Sequence, residues 1–373
     1  MHARALRLFA LACCVLLRHA HANAAAWLYV GTYTNSGSQG IYALRLDTSN
    51  GSLSRPELAV RTPDPSFLAL SPIGNRLYAA NEREATVRCF VVDRHSGQLD
   101  LLGVQPSGGS ATAYVGVDPS GVMLVGANYG RGTVCIFPIA NEGRLLPRSM
   151  LVRDLGRPGP NTARQNSPHP HSVAFSHDGR YAFICELGLD RVFVYRVDAA
   201  RADLTEAKMP YCVIPAGSGP RHSALSADDR FLYVINEMGG SLCVLSFDPS
   251  ISALKLLQTM STLPIAYRGF NGSADIQISP DGRYIYVSNR GPDTIAVFAR
   301  DQANGLIRSV EDVSCGGCFP RNFVISTDGR WLVCANQKSD RLAVFKVNRA
   351  TGRLALAAVS SSISQPTCVL LLP

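Results

Sequence analysis

The sequence predicts an all-β chain folded as one seven-bladed β-propeller, its ring closed by a C-terminal strand that completes the N-terminal blade. Three observations carry this expectation. A turn of the type Ser-x-Asp-Gly-Arg, followed by an apolar strand, recurs along the chain with openings roughly 50 residues apart, the period of a four-stranded blade. Gly 32 and Pro 22 are scattered as punctuation, as short strands joined by turns require. Hydrophobic residues make up 46% and charged residues 17%, which excludes disorder for most of the chain.

Taken in order, the chain opens on a segment that is not part of the ring. Arg4 and Arg7 precede an apolar stretch, Leu8 to Leu17, and His19-Ala-His-Ala-Asn-Ala24 then offers small-x-small cleavage sites after Ala22 or Ala24. Residues 1–24 therefore read as a secretory signal peptide, too short to span a bilayer, followed by a single domain over residues 25–373. The mature protein is expected in the periplasm or outside the cell, with no membrane span. Lys+Arg 36 against Asp+Glu 28 gives +8, and setting aside Arg4, Arg7 and Arg18 leaves 33 against 28, or +5. Without a Lys/Arg run, that surface gives no nucleic-acid partner.

Residues 27–60 (WLYVGTYT…GIYALRL…GSLSR) supply the second, third and fourth strands of a blade but not its first. The six turns follow: Ser71-Pro-Ile-Gly-Asn-Arg76, Asp118-Pro-Ser-Gly121, Ser176-His-Asp-Gly-Arg180, Ser226-Ala-Asp-Asp-Arg230, Ser279-Pro-Asp-Gly-Arg283 and Ser326-Thr-Asp-Gly-Arg330. Each leads into strands such as RYIYVSNR and TIAVFAR, and Gly-x-Leu turns such as Gly97-Gln-Leu99 and Gly352-Arg-Leu354 open the outer strand. Residues 364–373 (SQPTCVLLLP) match the blade opening Gly219-Pro-Arg-His-Ser-Ala-Leu225, so the last strand is expected to supply what the first blade lacks.

Nine cysteines remain beyond the leader, most of them inside apolar strands where a thiol behaves as a small hydrophobe. Cys315-Gly-Gly-Cys318 reads as a pair on a turn rather than a redox motif, with a local disulfide open to it in an oxidising compartment.

Innermost strands line the central channel, so polar residues there mark a site. The strand openings carry His169, His171, Arg221, His222, Asp275 and Arg321. The ends of the following strands carry Glu82, Asn128, Glu186, Glu237, Arg290 and Gln337. These are expected to meet at one face of the ring as an anion-binding catalytic site. His169 and His171, at i and i+2, would share a face and could in principle ligate a metal. No matching third ligand is present, and no obligatory metal or cofactor is expected. The alternative for Glu186 is a simple pairing with Arg191. The Arg closing each Ser-x-Asp-Gly-Arg turn is a repeat residue without function.

Several blocks together are specific: Pro168-His-Pro-His-Ser-Val-Ala-Phe-Ser176, Gly219-Pro-Arg-His222, Val234-Ile-Asn-Glu237, Ala274-Asp-Ile-Gln-Ile-Ser-Pro-Asp-Gly-Arg283 and Val287-Ser-Asn-Arg290. With Val30-Gly-Thr-Tyr-Thr34 and Glu186-Leu-Gly-Leu-Asp-Arg191, they resemble the lactonase seven-bladed propeller family. That family takes in bacterial propeller-type 6-phosphogluconolactonases and fungal carboxy-muconate lactonizing enzymes. The resemblance implies a metal-free site of one His, two Arg and one Glu, here His171, Arg221, Glu237 and Arg290. His169, Glu186, His222, Arg321 and Gln337 are added as substrate-binding candidates. Glu186 departs from the Asp common in the family, and the leader sets the chain apart from a cytosolic enzyme.

Lactone hydrolysis needs a base to activate water and a cation at the carbonyl oxygen. Glu237 is the base candidate, with His171 able to exchange roles, while Arg221 and Arg290 would hold a carboxylate or phosphate and the oxyanion. No Gly-x-Ser-x-Gly elbow appears. The expected activity is hydrolysis of a small anionic sugar lactone by a monomer. The alternatives are a muconate-type cycloisomerase and a non-catalytic propeller that binds a ligand or protein.

Overall fold

A computed structural model describes residues 25–153 and 155–372. The leader proposed for residues 1–24 lies outside the described residues. Among those described are seven four-stranded antiparallel sheets and no α-helix, the single helical segment being a 3-10 turn at Gln337–Ser339. Blades 2 to 7 are each built from four strands consecutive in sequence. Blade 1 orders Pro366–Leu371 innermost, then Ala25–Thr32, Gly40–Asp47 and Glu57–Arg61. The C-terminal strand thus closes the ring, in antiparallel register Leu28↔Leu371 to Gly31↔Cys368. The first and last described strands are paired in one sheet, which removes the edge that either would otherwise present.

The core lies between blades. Seven apolar clusters each bridge two neighbouring sheets, including Leu28, Val30 and Val369 of blade 1 against Val333, Leu342 and Val344 of blade 7. Alternation sends each middle strand's side chains to both neighbours, so these strands read as continuous apolar runs. Tyr181–Glu186, Phe231–Asn236 and Trp331–Asn336 are buried at every residue. Eight of the nine described cysteines are buried here, as small apolar fillers.

The recurrent turn is a closed hydrogen-bonded unit. In blades 4 to 7 the Ser hydroxyl donates to the Asp carboxylate at 2.6–2.7 Å. The Arg Nε donates to the other Asp oxygen at 2.6–2.8 Å. The Ser oxygen also accepts the first N–H of the next strand, as from Tyr181 at 2.9 Å. The fourth residue needs a left-handed backbone, hence Gly179 at φ 71° and Gly282 at φ 71°, with Asp229 adopting φ 57° in blade 5. These turns sit at the face of the ring opposite the site.

Two local devices aim the site. The first is a β-bulge near the start of every inner strand. In blade 4, Pro170 pairs with Glu186 and Ser172 with Cys185, leaving His171 as the extra residue. The same break leaves Ser66, Ala113, Arg221, Arg321 and Thr367 unpaired in blades 2, 3, 5, 7 and 1. A bulge residue is released from the pleat and re-aimed, here toward the channel mouth. The second device is a buried Asn closing the second strand of most blades. In blades 3, 6 and 7 its carboxamide donates to the connector from the preceding blade, Asn128 to Ser107 O, Asn289 to Thr262 O and Asn336 to Cys315 O, whereas Asn236 donates to Ser241 Oγ of its own blade. The backbone is pinned there, and the residue just after it turns to the site in four of the blades.

Candidate active site

Both devices feed one cavity of about 300 Å³ at the channel mouth. Ala113, His171, Arg221 and Arg321 reach it as bulge residues. Tyr33, Glu82, Tyr129, Glu237 and Arg290 reach it from second-strand ends, and Arg164 from the loop entering blade 4. The lining therefore carries four arginines against two carboxylates.

Glu237 is the hub. Its Oε2 accepts Arg221 Nε at 2.9 Å and faces Arg290 Nη2 at 3.1 Å, while its Oε1 accepts Arg164 Nη2 at 2.6 Å. Burial opposes the carboxylate, but Arg290, Arg221 and Arg164 outweigh it and hold Glu237 well below the usual carboxylate range. Arg221 also donates to Ala274 O and Arg290 to Gly272 O, so carbonyls as well as charge fix the two guanidinium planes. Burial, and then Arg290, push Arg221 down to about 9, leaving it a cation at neutral pH. Neither Arg221 Nη2 nor Arg290 Nη1 has a hydrogen-bond partner among the described residues, so each remains available to a ligand.

His171 is the contrasting group. Burial, then Arg221 and His222, keep it far below the ordinary imidazole value, so it is neutral at pH 7. Its Nδ1 is buried without a partner, and neither ring nitrogen hydrogen-bonds to a described residue. His222 packs behind His171, against Phe67, Tyr114 and His171 at ring separations of 5.3–5.6 Å, and supports the lining without forming part of it. Arg221 Nη1 lies 3.2 Å from His222 Nε2, whose lone pair it requires. The proton then sits on Nδ1 and is donated to Asp275 at 2.8 Å. Asp275 in turn accepts Asn322 Nδ2 at 2.6 Å.

Across the cavity, Arg321 donates to Tyr33 OH at 2.8 Å, and that hydroxyl donates to Glu82 at 2.8 Å. Unlike Arg164, Arg221 and Arg290, Arg321 has no carboxylate in salt-bridge range among the described residues.

Of the residues expected from sequence, Glu82, His171, Arg221, Glu237, Arg290 and Arg321 come together here. His169, Glu186, His222 and Gln337 do not line the cavity. The shared face expected for His169 and His171 is undone by the bulge. His169 instead stacks on Tyr129 at 4.5 Å and bonds the Tyr129 carbonyl at 2.7 Å. Glu186 stands where other blades place the buried Asn, and its carboxylate accepts the N–H groups of His169 and Gly188. His222 lies behind the lining, between Arg221 and Asp275. Gln337 bonds sideways to Gln365 at 3.3 Å. Sequence reading by strand ends chose Asn128 and Glu186, one residue short of the lining position. Counting one past the buried Asn would have found Tyr129. Arg164 lies outside the repeat and had no such signal. Among the described residues, no group of three or more His, Cys, Asp or Glu is arranged to hold a metal.

Comparison with known proteins agrees with this fold. The family model described as lactonase, 7-bladed beta-propeller, matches residues 27–371. The chain belongs to that lactonase family. A Bacillus subtilis protein named 6-phosphogluconolactonase is 33% identical over 343 residues, covering 91% of this chain and 97% of the relative. One from Formosa agariphila, of the same name, is 30% identical over 80% of this chain and 86% of its own. Among solved structures, the periplasmic gluconolactonase of Pseudomonas aeruginosa superposes with a TM-score of 0.88. It is 33% identical, covering 94% of this lactonase-family chain and 99% of that one.

Proposed function

We propose that this protein is an exported lactonase that hydrolyses an anionic sugar lactone with His171 as general base. One observation carries the assignment of roles. Every carboxylate oxygen of Glu237 is taken by arginine, whereas the neutral His171 lines the same cavity and neither of its ring nitrogens bonds to a described residue. A carboxylate held by three guanidinium groups is a weak base, and its work is to align and neutralise them. His171 removes a proton from water as the oxygen adds to the lactone carbonyl carbon. The carbonyl oxygen becomes an oxyanion between the open donors of Arg221 and Arg290. Collapse breaks the ring C–O bond, and the imidazolium returns its proton to the departing ring oxygen, giving the open hydroxy acid.

A substrate anion promotes this chemistry. Arg221 and Arg321 are among the charges that depress His171. An anion neutralising them raises the basicity of His171 at the moment it is needed. Among the described residues Arg321 has only a neutral hydroxyl partner, and this cation is suited to hold one side of that anion. The names of the two curated relatives support a phosphorylated lactone, and that of the periplasmic structure an unphosphorylated one. Export is supported by the leader pattern in residues 1–24 and by that periplasmic relative.

The test is hydrolysis of D-glucono-1,5-lactone and its 6-phosphate by the purified mature protein, after correction for spontaneous opening, with and without EDTA. EDTA-insensitive turnover is expected. If no lactone is opened while sugar acids still bind, the site belongs to a binding propeller. N-terminal sequencing of the exported form, expected to begin near Asn23 or Ala25, tests the leader.

A further inference from the structure

We propose that Arg164 is a specificity-determining residue: it grips Glu237 in the empty site and transfers to the far-end anion of the substrate. The inference rests on the lactonase reading for its substrate class, and on separate observations for its mechanism. Arg164 is the single lining residue that comes from neither an inner-strand bulge nor a second-strand end. Its side chain is 40% exposed, against 3% for Arg221 and 8% for Arg290. Those two are anchored to backbone carbonyls. Among the described residues, Arg164 is held only by the Glu237 carboxylate and by Tyr129 OH at 3.2 Å, both through Nη2. Its Nε and Nη1 have no partner among the described residues, so most of the planar fork faces the mouth.

The loop presents this side chain on a rigid support. Gln165, 1% exposed, donates Nε2 to Leu187 O at 2.9 Å, and its Oε1 accepts Asn161 N–H at 3.1 Å, while its own N–H reaches Asn161 O at 2.6 Å. The backbone is thereby fixed and the guanidinium alone is left to swing. Its release also costs little. Glu237 keeps Arg221 and Arg290, so no buried carboxylate is abandoned. An anion arriving from solvent meets Arg164 first and offers it two oxygens where Glu237 offers one. Phosphate and carboxylate share that bidentate chemistry.

Binding of sugar acids tests this without requiring turnover. Wild type, Arg164→Ala and Arg164→Lys are titrated calorimetrically with D-gluconate, D-gluconate 6-phosphate and D-glucarate, which carries a second carboxylate instead of the phosphate. Arg164→Ala is expected to weaken binding of at least one of the doubly charged ligands about 10- to 100-fold, the loss of charge-assisted bonds, and leave gluconate within about threefold. Arg164→Lys should recover only part of the loss. Whichever ligand loses more identifies the anion as phosphate or carboxylate. In turnover the same contrast should appear in KM, with kcat nearly constant. Equal weakening of all three ligands, or none, overturns the proposal. A wild type that binds with this contrast but opens no lactone would sink the lactonase reading and leave the Arg164 assignment standing. A thermal melt of each variant separates either result from misfolding.

Discussion

Glu237 and Arg221 meet carboxylate to guanidinium, Oε2 to Nε, at 2.9 Å across sixteen residues of one hairpin, with both side chains at least 94% buried. The hairpin leaves the mouth along the inner strand Pro220–Leu225 and returns along Phe231–Asn236. Arg221 is raised by its bulge and Glu237 is set just past the buried Asn236, so the pair follows from backbone geometry. That pair is the spine on which Arg290 and Arg164 assemble.

Removing the charge of Glu237 should therefore destabilise the fold as well as the site. Glu237→Gln leaves two buried arginines facing each other without a counter-charge, a loss of about 3 kcal/mol or more. Urea unfolding should show a lower midpoint with an unchanged slope, and Glu237→Asp should recover part of it. A Gln variant as stable as the parent would show that the carboxylate is not the hub.

His171→Asn should lower kcat about 10²–10⁴-fold with substrate binding largely retained. Thermal stability should hold, since the change removes a buried nitrogen that has no partner. Because His171 is held far below the ordinary imidazole value, kcat/KM in the parent should stay level as pH falls through 6.5, where an unperturbed His would lose its base form. Full turnover in His171→Asn would return the role of base to Glu237.

Acid should unfold the protein through its buried histidines. Burial, then Arg221, lower His222 to about 4, whereas in the unfolded chain it titrates near 6.5. Between those values the unfolded state binds a proton that the folded state refuses. Stability is therefore intact above pH 6.5 and falls as pH drops toward 4, by on the order of 3 kcal/mol from His222 alone. His171 acts with the same sign. Melting curves from pH 7.5 to 4 should show this decline, and His222→Asn should flatten it. A midpoint independent of pH across that window would contradict it.

Thiol chemistry reads the core. Burial raises Cys135, Cys315 and Cys368 to about 12 and Cys185 to about 11, and eight of the nine described cysteines are buried. Ellman's reagent should titrate about one thiol in the native mature protein, Cys318, and about nine after denaturation. A denatured count of about seven would reveal a Cys315–Cys318 disulfide formed on export.

The sequence by itself determined the architecture. The repeat of turn and strand is a local pattern, and seven copies of a sheet that cannot bury both faces alone have to stack into a ring. Even the closure was legible, because residues 27–60 lack one strand and residues 364–373 match the missing one. Arg221, Glu237 and Arg290 also stood out in sequence, as charges breaking an apolar repeat. What only the tertiary structure decided was which neighbours face the cavity. The bulge at His171 cancels the two-residue alternation that would have aligned it with His169, and Glu186 does the work of a buried Asn. The division of labour proposed for His171 and Glu237 was likewise invisible, since it rests on three arginines, one from a loop outside the repeat, converging on a single carboxylate. Periodicity reports what each strand does to its own side chains. Basicity and anion affinity are set by groups from other blades within a few ångströms.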